Sequence, residues 1–222
     1  MTTTLLVDLD GTLVQLRAQR ILSLRLALRG ARRFAAVLPM RRFHGAFWRA
    51  ARIMQTHTTE RTNHDVLIGE LAREAGCPAP DIARLLDDLV SHDFARMRWH
   101  FRPIPGAREA LLRACDRGHR LVLATNPVWP ERAVRMRLAW GGLADVPFDF
   151  VSHSGVMTRC KPSVLYYREL LARVALGARD CVMVGDNPRK DLPAVEAGIR
   201  TFLLGRQGSL ADLDGWLRRG AA

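Results

Sequence analysis

The stretch that decides the fold is Thr4-Leu-Leu-Val-Asp-Leu-Asp-Gly-Thr-Leu-Val14, close to the first residue of the chain. Residues 4–7 are a short apolar run, and Asp8, Asp10 and Gly11 follow it at once. An apolar run that ends in acidic residues and a glycine predicts a buried strand followed by a turn. We therefore expect two carboxylates at the carboxyl end of a first strand.

Four more apolar runs of this kind occur in the second half of the chain, at 120–125, 148–152, 181–186 and 200–204. Helical patterns lie between them or next to them, at 105–117, 130–139, 163–176 and 188–197. Strands that alternate with helices of this length indicate βαβ units and a parallel sheet with both faces covered. The predicted fold class is α/β, with a Rossmann-like parallel sheet as its core.

Residues 15–102 do not share this alternation, because they hold several helical patterns and no convincing strand. Thr62 and Asp65 have the spacing of a capping box, which predicts a helix that runs to about Gly76. A second helix is predicted over 80–98. The expected organisation is a catalytic core formed by residues 1–14 and 103–222, with an all-helical cap formed by residues 15–102.

The composition is that of a globular chain, with 48% hydrophobic and 25% charged residues in 222, which excludes wholesale disorder. The four cysteines are widely spaced and form no CxxC pair, so we expect a reduced, cytoplasmic setting without disulfides. Cys160 stands out because it precedes Lys161. The most apolar long window, 21–38, contains four arginines, so no membrane span is predicted.

The formal net charge of +12 is concentrated in one segment. Residues 15–59 contain ten arginines and no carboxylate, and on a helical wheel the arginines separate only imperfectly from apolar residues such as Leu24 and Leu26. Three interpretations remain open for this arginine-rich segment. It is a solvated face, a positive lining that attracts an anionic substrate, or a surface that attaches to a membrane or to nucleic acid.

Acidic and polar residues follow several of the predicted strands. Asp8 and Asp10 follow the first strand, Thr125 and Asn126 end the second, and Asp186 ends the strand at 181–186. Ligands of an open parallel sheet bind at the carboxyl ends of its strands, and several carboxylates gathered there need a cation such as Mg²⁺. One carboxylate can then attack phosphorus while another transfers a proton, which is typical of phosphoryl transfer.

Four segments in this order resemble the motifs of the haloacid dehalogenase-like hydrolase superfamily: DLDGTLV (8–14), LATNP (123–127), Lys161-Pro162 and VGDNPRKD (184–191). The resemblance implies that Asp8 is the nucleophile and that Asp10 is the general acid/base. It also implies a phosphate site and an Mg²⁺ site. The phosphate site would comprise Gly11, Thr12, Thr125, Asn126 and Lys161. The metal site would comprise Asp8, Asp186 and the backbone carbonyl of Asp10, with Asp191 in support.

Two observations favour phosphate chemistry within that superfamily. An acid is present at position 10, where dehalogenating members usually lack one. Only two of the 34 basic residues are lysines, Lys161 and Lys190, and both lie in motifs; a compact ammonium is not interchangeable with a guanidinium at a phosphate. The helical insert after the first motif is similar to a type-one cap, which would close over the site and select substrate.

The sequence thus predicts an Mg²⁺-dependent phosphatase that cleaves a small phosphorylated metabolite through an aspartyl-phosphate. A phosphotransferase or phosphomutase of the same family is the alternative within the enzyme class. A protein that binds nucleic acid or an anionic membrane through residues 15–59 is the alternative outside it. Neither the substrate nor the oligomeric state follows from the sequence.

Overall fold

The structure is a computed structural model and describes residues 2–219. Its strands in that range are β1 (Thr4–Val7), β2 (Val14–Leu16), β3 (Phe101–Pro103), β4 (Arg120–Leu123), β5 (Phe150–Val151), β6 (Cys181–Gly185) and β7 (Arg200–Leu203). Among these residues the main sheet has five parallel strands in the order β5-β4-β1-β6-β7, and a second, small sheet pairs β2 with β3. All five strands predicted from the sequence are confirmed, and together they make the parallel sheet of the predicted α/β class.

The segment between β2 and β3 is helical. It contains α1 (Gln19–Arg33), α2 (Met40–Thr56), α3 (Asn63–Ala75) and α4 (Ala79–Asp88), then a π-helical stretch (Leu89–Phe94) and a 3₁₀ stretch (Ala95–His100). The predicted capping box is confirmed, since the Thr62 side chain accepts from the Asp65 amide and the Asp65 side chain accepts from the Thr62 amide. The helix predicted over 80–98 is present, but it changes from α to π to 3₁₀ along its length.

In the described part of the chain after β3, up to residue 219, there are five α-helices: α5 (Ala107–Asp116), α6 (Glu131–Trp140), α7 (Val164–Val174), α8 (Pro188–Asp191) and α9 (Leu213–Arg219). A 3₁₀ stretch, Leu192–Ala197, continues α8. Alternate residues of β1 belong to two different apolar clusters, with Leu5 and Val7 in one and Leu6 in the other. The sheet is therefore covered on both faces, and this explains why its strands read as continuous apolar runs.

The helical segment is joined to the sheet through β2 and β3, which pair antiparallel with Gln15 opposite Arg102. This pair differs from the expectation that residues 15–102 contain no strand. Each strand has only three residues, and their partners lie far apart in sequence. The pair forms by hydrogen bonding between segments that are distant in sequence, so no local sequence pattern predicts it.

Among residues 2–219, no helix is long and apolar enough to cross a membrane.

Candidate active site

The predicted acidic residues lie at the carboxyl edge of the parallel sheet. β1 is the central strand, flanked by β4 and β6. The Asp8 amide donates to the Val184 carbonyl at 2.9 Å, and the Ala124 amide donates to the Val7 carbonyl at 2.7 Å. Asp8, Thr125 and Asp186 consequently follow three adjacent strands, as the sequence predicts.

Lys161 lies at the centre of the cluster. Its Nζ donates to Asp8 Oδ1 at 2.9 Å and to Asp191 Oδ1 at 2.7 Å, and its side chain is 0% exposed. Its backbone amide donates to Asn126 Oδ1 at 3.1 Å. A buried ammonium is costly unless it is paired and hydrogen-bonded, and here two carboxylates satisfy it. The structure brings Asp8, Lys161 and Asp191 into one buried ion network.

Asp186 completes a group of carboxylates that could hold a cation. One oxygen from each of Asp8, Asp186 and Asp191 lies within 4.8 Å of the others. Thr12 Oγ1 donates to Asp186 Oδ1 at 2.9 Å and orients that carboxylate. Hard oxygen ligands converging at this spacing fit Mg²⁺, which binds through one or two carboxylates and keeps several waters. The donor set therefore suits the metal that the motifs imply, and Lys161 alone cannot balance three carboxylates.

Burial changes the proton affinity of these groups. Burial raises the pKa of Asp8 to about 6, although Lys161 opposes that shift. Burial also raises the pKa of Asp186, with the Thr12 hydrogen bond opposing the rise. For Lys161, burial alone would lower the pKa, but the facing carboxylates hold it well above its ordinary value. Lys161 therefore stays cationic at neutral pH.

The remaining predicted phosphate-site residues lie beside these groups. The Thr125 carbonyl accepts from Ser152 Oγ at 2.8 Å and from Tyr166 Oη at 3.0 Å, which fixes the backbone where β4 ends. Gly11 has φ +93, and a Cβ there would lie 2.3 Å from Asp186 Oδ2. A side chain at position 11 would therefore displace the carboxylate, and the left-handed backbone conformation also favours glycine.

The Asp10 side chain pairs with a residue that was not predicted from the sequence. Arg137 Nη1 donates to Asp10 Oδ2 at 2.6 Å, and the Arg137 side chain is 2% exposed. A signal for it was present, because Arg137 lies three and four residues after Val134 and Ala133 on the apolar face of a predicted helix. An arginine on such a face needs a buried partner.

The helical segment reaches the core through the start of α3. The Asn63 amide donates to the Met157 carbonyl at 2.9 Å, and the His64 amide donates to the Ser154 carbonyl at 2.9 Å. Asn63 Nδ2 donates to the Pro127 carbonyl at 3.2 Å and is fully buried. Pro127 follows Asn126, so this contact lies one residue from a predicted phosphate-site residue.

Cys160, which the sequence singled out, lies in the same contact. Asn63 Nδ2 is 3.4 Å from its Sγ. Burial raises the pKa of the Cys160 thiol to about 12, which favours the protonated thiol at neutral pH. Its part is packing between the helical segment and the core.

Comparison with known proteins places this site in a family. The sequence model described as haloacid dehalogenase-like hydrolase matches residues 2–198. A phosphoserine phosphatase of Thermus thermophilus is 36% identical over 138 residues, which make up 62% of this chain and 52% of that protein. The matched part thus spans about half the length of this curated relative.

Solved structures share the fold over almost the whole chain. A 2-haloacid dehalogenase from Pseudomonas syringae pv. Tomato has a TM-score of 0.64 and 22% identity, covering 99% of this chain and 100% of that chain. An HAD phosphatase from Thermococcus onnurineus has a TM-score of 0.58 and 17% identity, covering 97% and 98%. At these identities the likeness is one of fold.

Proposed function

The chain belongs to the haloacid dehalogenase-like hydrolases, and we propose that within this family it is an Mg²⁺-dependent phosphatase that cleaves a small phosphomonoester. The observation that carries the proposal is the buried ammonium of Lys161 between Asp8 and Asp191, beside Asp186. A fixed cation next to a nucleophilic carboxylate serves a phosphoryl group, whose equatorial oxygens carry the negative charge. The similarity to a phosphoserine phosphatase supports the same class of substrate.

Asp8 is the proposed nucleophile. Lys161 holds its Oδ1 and so fixes the plane of the carboxylate. A carboxylate oxygen of Asp8 attacks phosphorus, the bond from phosphorus to the leaving oxygen breaks, and an aspartyl-phosphate forms. Lys161 offsets the charge of the phosphoryl oxygens, which would otherwise repel Asp8.

Asp10 is the proposed general acid and base. In the first step it gives its proton to the leaving oxygen, so the alcohol departs neutral. In the second step it takes a proton from a water molecule that attacks phosphorus, and inorganic phosphate and the Asp8 carboxylate are released. Asp10 ends each cycle protonated, ready for the next leaving group.

Asp8, Asp186 and the backbone carbonyl of Asp10 would hold Mg²⁺, with Asp191 in support. When bound, the metal would neutralise charge on the phosphoryl oxygens. Thr12 orients Asp186 for this part through its hydroxyl.

Residues 15–102 are the proposed cap, which would select the substrate. Two features support this proposal: the pairing of β2 with β3, and the contact of α3 with residues 127, 154 and 157. A cap that docks there would exclude bulk solvent from the site, which strengthens the electrostatic interactions around the phosphoryl group, while the attacking water molecule remains.

The proposal is tested by phosphate release from p-nitrophenyl phosphate. The wild-type protein should be active with Mg²⁺, inactive with EDTA, and active again when Mg²⁺ is restored. Asp8→Asn should lose about three orders of magnitude or more in kcat, because the nucleophile is gone. Asp87→Asn, which changes an exposed acid on α4, is the matched control and should keep full activity.

Trapping the covalent intermediate completes the test. Acid quench of a reaction with radiolabelled phosphate ester should leave label on the wild-type chain and none on Asp8→Asn. Full activity in Asp8→Asn, or in EDTA, would overturn the mechanism. Isomerised ester in place of free phosphate would identify a phosphomutase instead.

A further inference from the structure

Arg137 is a buried cation for which the motifs assign no part. It lies on α6 with its side chain 2% exposed. Its Nη1 donates to Asp10 Oδ2 at 2.6 Å, and its Nε donates to the Ala133 carbonyl of the preceding turn at 3.3 Å. Arginine is almost never buried without a partner, and its guanidinium remains charged in proteins.

The pairing between Arg137 and Asp10 leaves one atom free on each side. Within residues 2–219, Asp10 Oδ1 and Arg137 Nη2 are both buried and have no hydrogen-bond partner. Arginine–carboxylate pairs are frequently bidentate, with two parallel hydrogen bonds. Here Arg137 holds a single carboxylate oxygen, Oδ2, through a single hydrogen bond.

Backbone packing fixes the distance between the two residues. The end of α6 lies against β2, since a Cβ on Gly141 would be 2.5 Å from Val14 Cγ2. Val14 also forms an isolated β-bridge with Asp10, and its carbonyl accepts from the Gly11 amide at 2.9 Å. Val14 therefore contacts both the end of α6, which carries Arg137, and the backbone of Asp10.

We propose that Arg137 is a positioning residue for Asp10. It binds Oδ2 and so fixes the orientation of the carboxylate that passes a proton to the leaving oxygen and later accepts one from water. This proposal rests on the proposed function, in which Asp10 is the acid and base. It goes beyond that function because it names the residue that orients this carboxylate.

The test uses Arg137→Met and Arg137→Lys in the full chain, with Arg135→Met as the matched control. Arg135 lies on the same helix, is exposed, and pairs with Glu131. Rates are measured on phosphate esters whose leaving groups range from aryl to alkyl. Arg137→Met should lose about 10- to 100-fold in kcat on alkyl esters, which need a proton from the acid, and much less on activated aryl esters.

Arg137→Lys should recover part of the loss, because one ammonium hydrogen bond to Oδ2 can replace the guanidinium. KM should change little in either variant, since neither touches the phosphoryl group. Thermal unfolding verifies that each variant is folded; where Arg137→Met does not fold, Arg137→Lys carries the comparison. A folded Arg137→Met variant with the wild-type dependence on leaving group, or an Arg137→Lys variant whose loss is equal for aryl and alkyl esters, would overturn the proposal.

A double-mutant cycle with Asp10→Asn separates positioning from a structural part. Removing Arg137 in the Asp10→Asn background should cost less than about twofold in kcat, because the group it positions is already lost. A loss as large as in the wild-type background, or one equal for all leaving groups, would overturn the positioning part and leave the phosphatase assignment intact. A wild-type protein without phosphatase activity would overturn both.

A second inference comes from the outer face of α1. Ile21, Leu24 and Leu28 form an apolar row at helical spacing, and they are 49%, 58% and 39% exposed. Leu24, expected on the apolar side of the wheel, therefore faces outward. Single exposed apolar residues are ordinary, but a continuous row on one helix face marks an interaction surface.

The charges around this row are only partly neutralised. Arg29, Arg33, Arg42 and Arg49 pair with acids of the helical segment. The other arginines of 15–59 have no carboxylate partner within the described range 2–219; they are Arg17, Arg20, Arg25, Arg32, Arg41 and Arg52. Arg25 instead lies over the exposed ring of Trp99, 4.6 Å from its centroid.

We infer that this face of α1 docks on an anionic lipid surface, with the apolar row entering the head-group layer and the arginines binding lipid phosphates. Nucleic acid or a small anion would use the arginines but leave the apolar row in water. A second copy of the chain would bring the same unpaired arginines against each other. An anionic membrane surface complements both features.

Co-sedimentation with vesicles tests this inference independently of catalysis. Vesicles of phosphatidylcholine mixed with phosphatidylglycerol should bind the protein at least about tenfold more strongly than phosphatidylcholine alone. The triple variant Ile21→Ser, Leu24→Ser, Leu28→Ser should lose most of that binding, keep its unfolding temperature and keep its phosphatase activity. Arg20→Gln combined with Arg25→Gln and Arg32→Gln should also weaken it.

Three results would overturn the inference. One is equal binding to both kinds of vesicle. Another is vesicle binding by the serine variant that is as strong as that of the wild type. Binding of the wild type to duplex DNA as strongly as to anionic vesicles, unchanged in the serine variant, would count in the same way. The third is a shift in size-exclusion elution that the serine variant abolishes, because this would assign the row to self-association.

Discussion

The core and the helical segment use charge in opposite ways. At the sheet edge Lys161 is shielded from water between Asp8 and Asp191, and each group depends on the others. In the helical segment Arg42 and Arg49 pair with acids while remaining about half exposed. Losing one partner leaves a buried charge in the first case and a hydrated charge in the second. The core network is therefore far more sensitive to the loss of one member than the ion pairs on the surface of the helical segment.

The largest effect is expected from Lys161→Met. Two carboxylates would then face each other without a counter-charge, so the free energy of unfolding should fall by about 3–5 kcal/mol in metal-free buffer. Phosphatase activity should be lost as well. Urea unfolding measures the first effect. Arg49→Gln in the helical segment is the matched control and should cost less than about 1 kcal/mol; similar losses in the two variants would erase the contrast.

Gly11→Ala should come next. The positive φ and the contact with Asp186 together should cost about 1–3 kcal/mol in unfolding free energy and lower kcat, because the carboxylate must move. Gly45→Ala is the comparison, since a Cβ there meets only the flexible end of Arg49 within a helix. It should raise the unfolding free energy by about 0.5–1 kcal/mol. A stabilising Gly11→Ala would show that the site tolerates a side chain there.

Asn63→Ala examines the place where the two regions meet. Asn63 is in the helical segment but is buried like a core residue, and it donates to the Pro127 carbonyl. Its loss should lower the unfolding free energy by about 1–3 kcal/mol, because the Pro127 carbonyl loses a buried donor. It should also raise KM by loosening the cap. Unchanged KM together with unchanged stability would show that this contact does not hold the regions together.

The smallest effect is a pH dependence. Hydrogen bonding to Arg73, helped by Arg49, holds the pKa of Glu70 below its ordinary value. The stabilisation is therefore complete above the unfolded pKa of about 4.3 and is lost as the pH falls through the folded value. Urea midpoints of the wild type and Glu70→Gln should differ at neutral pH and converge near pH 3, within about 1 kcal/mol.

The opposite sign is expected for Asp8 in the metal-free core. Its folded pKa is raised to about 6, so the folded state binds the proton more tightly than the unfolded chain does. That contribution is present at low pH and is lost as the pH rises through about 6. For the helical segment, a difference in urea midpoint between the wild type and Glu70→Gln that grew toward low pH would contradict the assigned sign.

The parallel sheet and the four motif segments could be predicted because each is a local signal. Apolar runs that end in Asp8, Thr125 and Asp186 identify both the strand and the edge at which it ends. Adjacent parallel strands then bring those ends together without further information. The capping box of Thr62 and Asp65 is local in the same sense.

What the sequence could not supply depends on contacts between distant segments. Arg137 and Asp10 are 127 residues apart, and only the folded chain shows that the apolar face of α6 meets the first motif. The orientation of α1 depended on Asp93, which attracts Arg29 and Arg33 inward and leaves Leu24 in solvent. A helical wheel contains only neighbouring residues of one helix, so it could not include Asp93, which lies far along the chain.

The pairing of β2 with β3 has a consequence for protein engineering. Because Gln15 lies opposite Arg102, the points where the chain leaves the core and returns to it are neighbours. A two-residue hairpin turn could join the strands and excise the helical segment without stretching the core. Phe94 and Met97 of the helical segment pack in the same apolar cluster as Leu5 and Val7 of β1, so any segment grafted at this junction would need apolar residues that replace them.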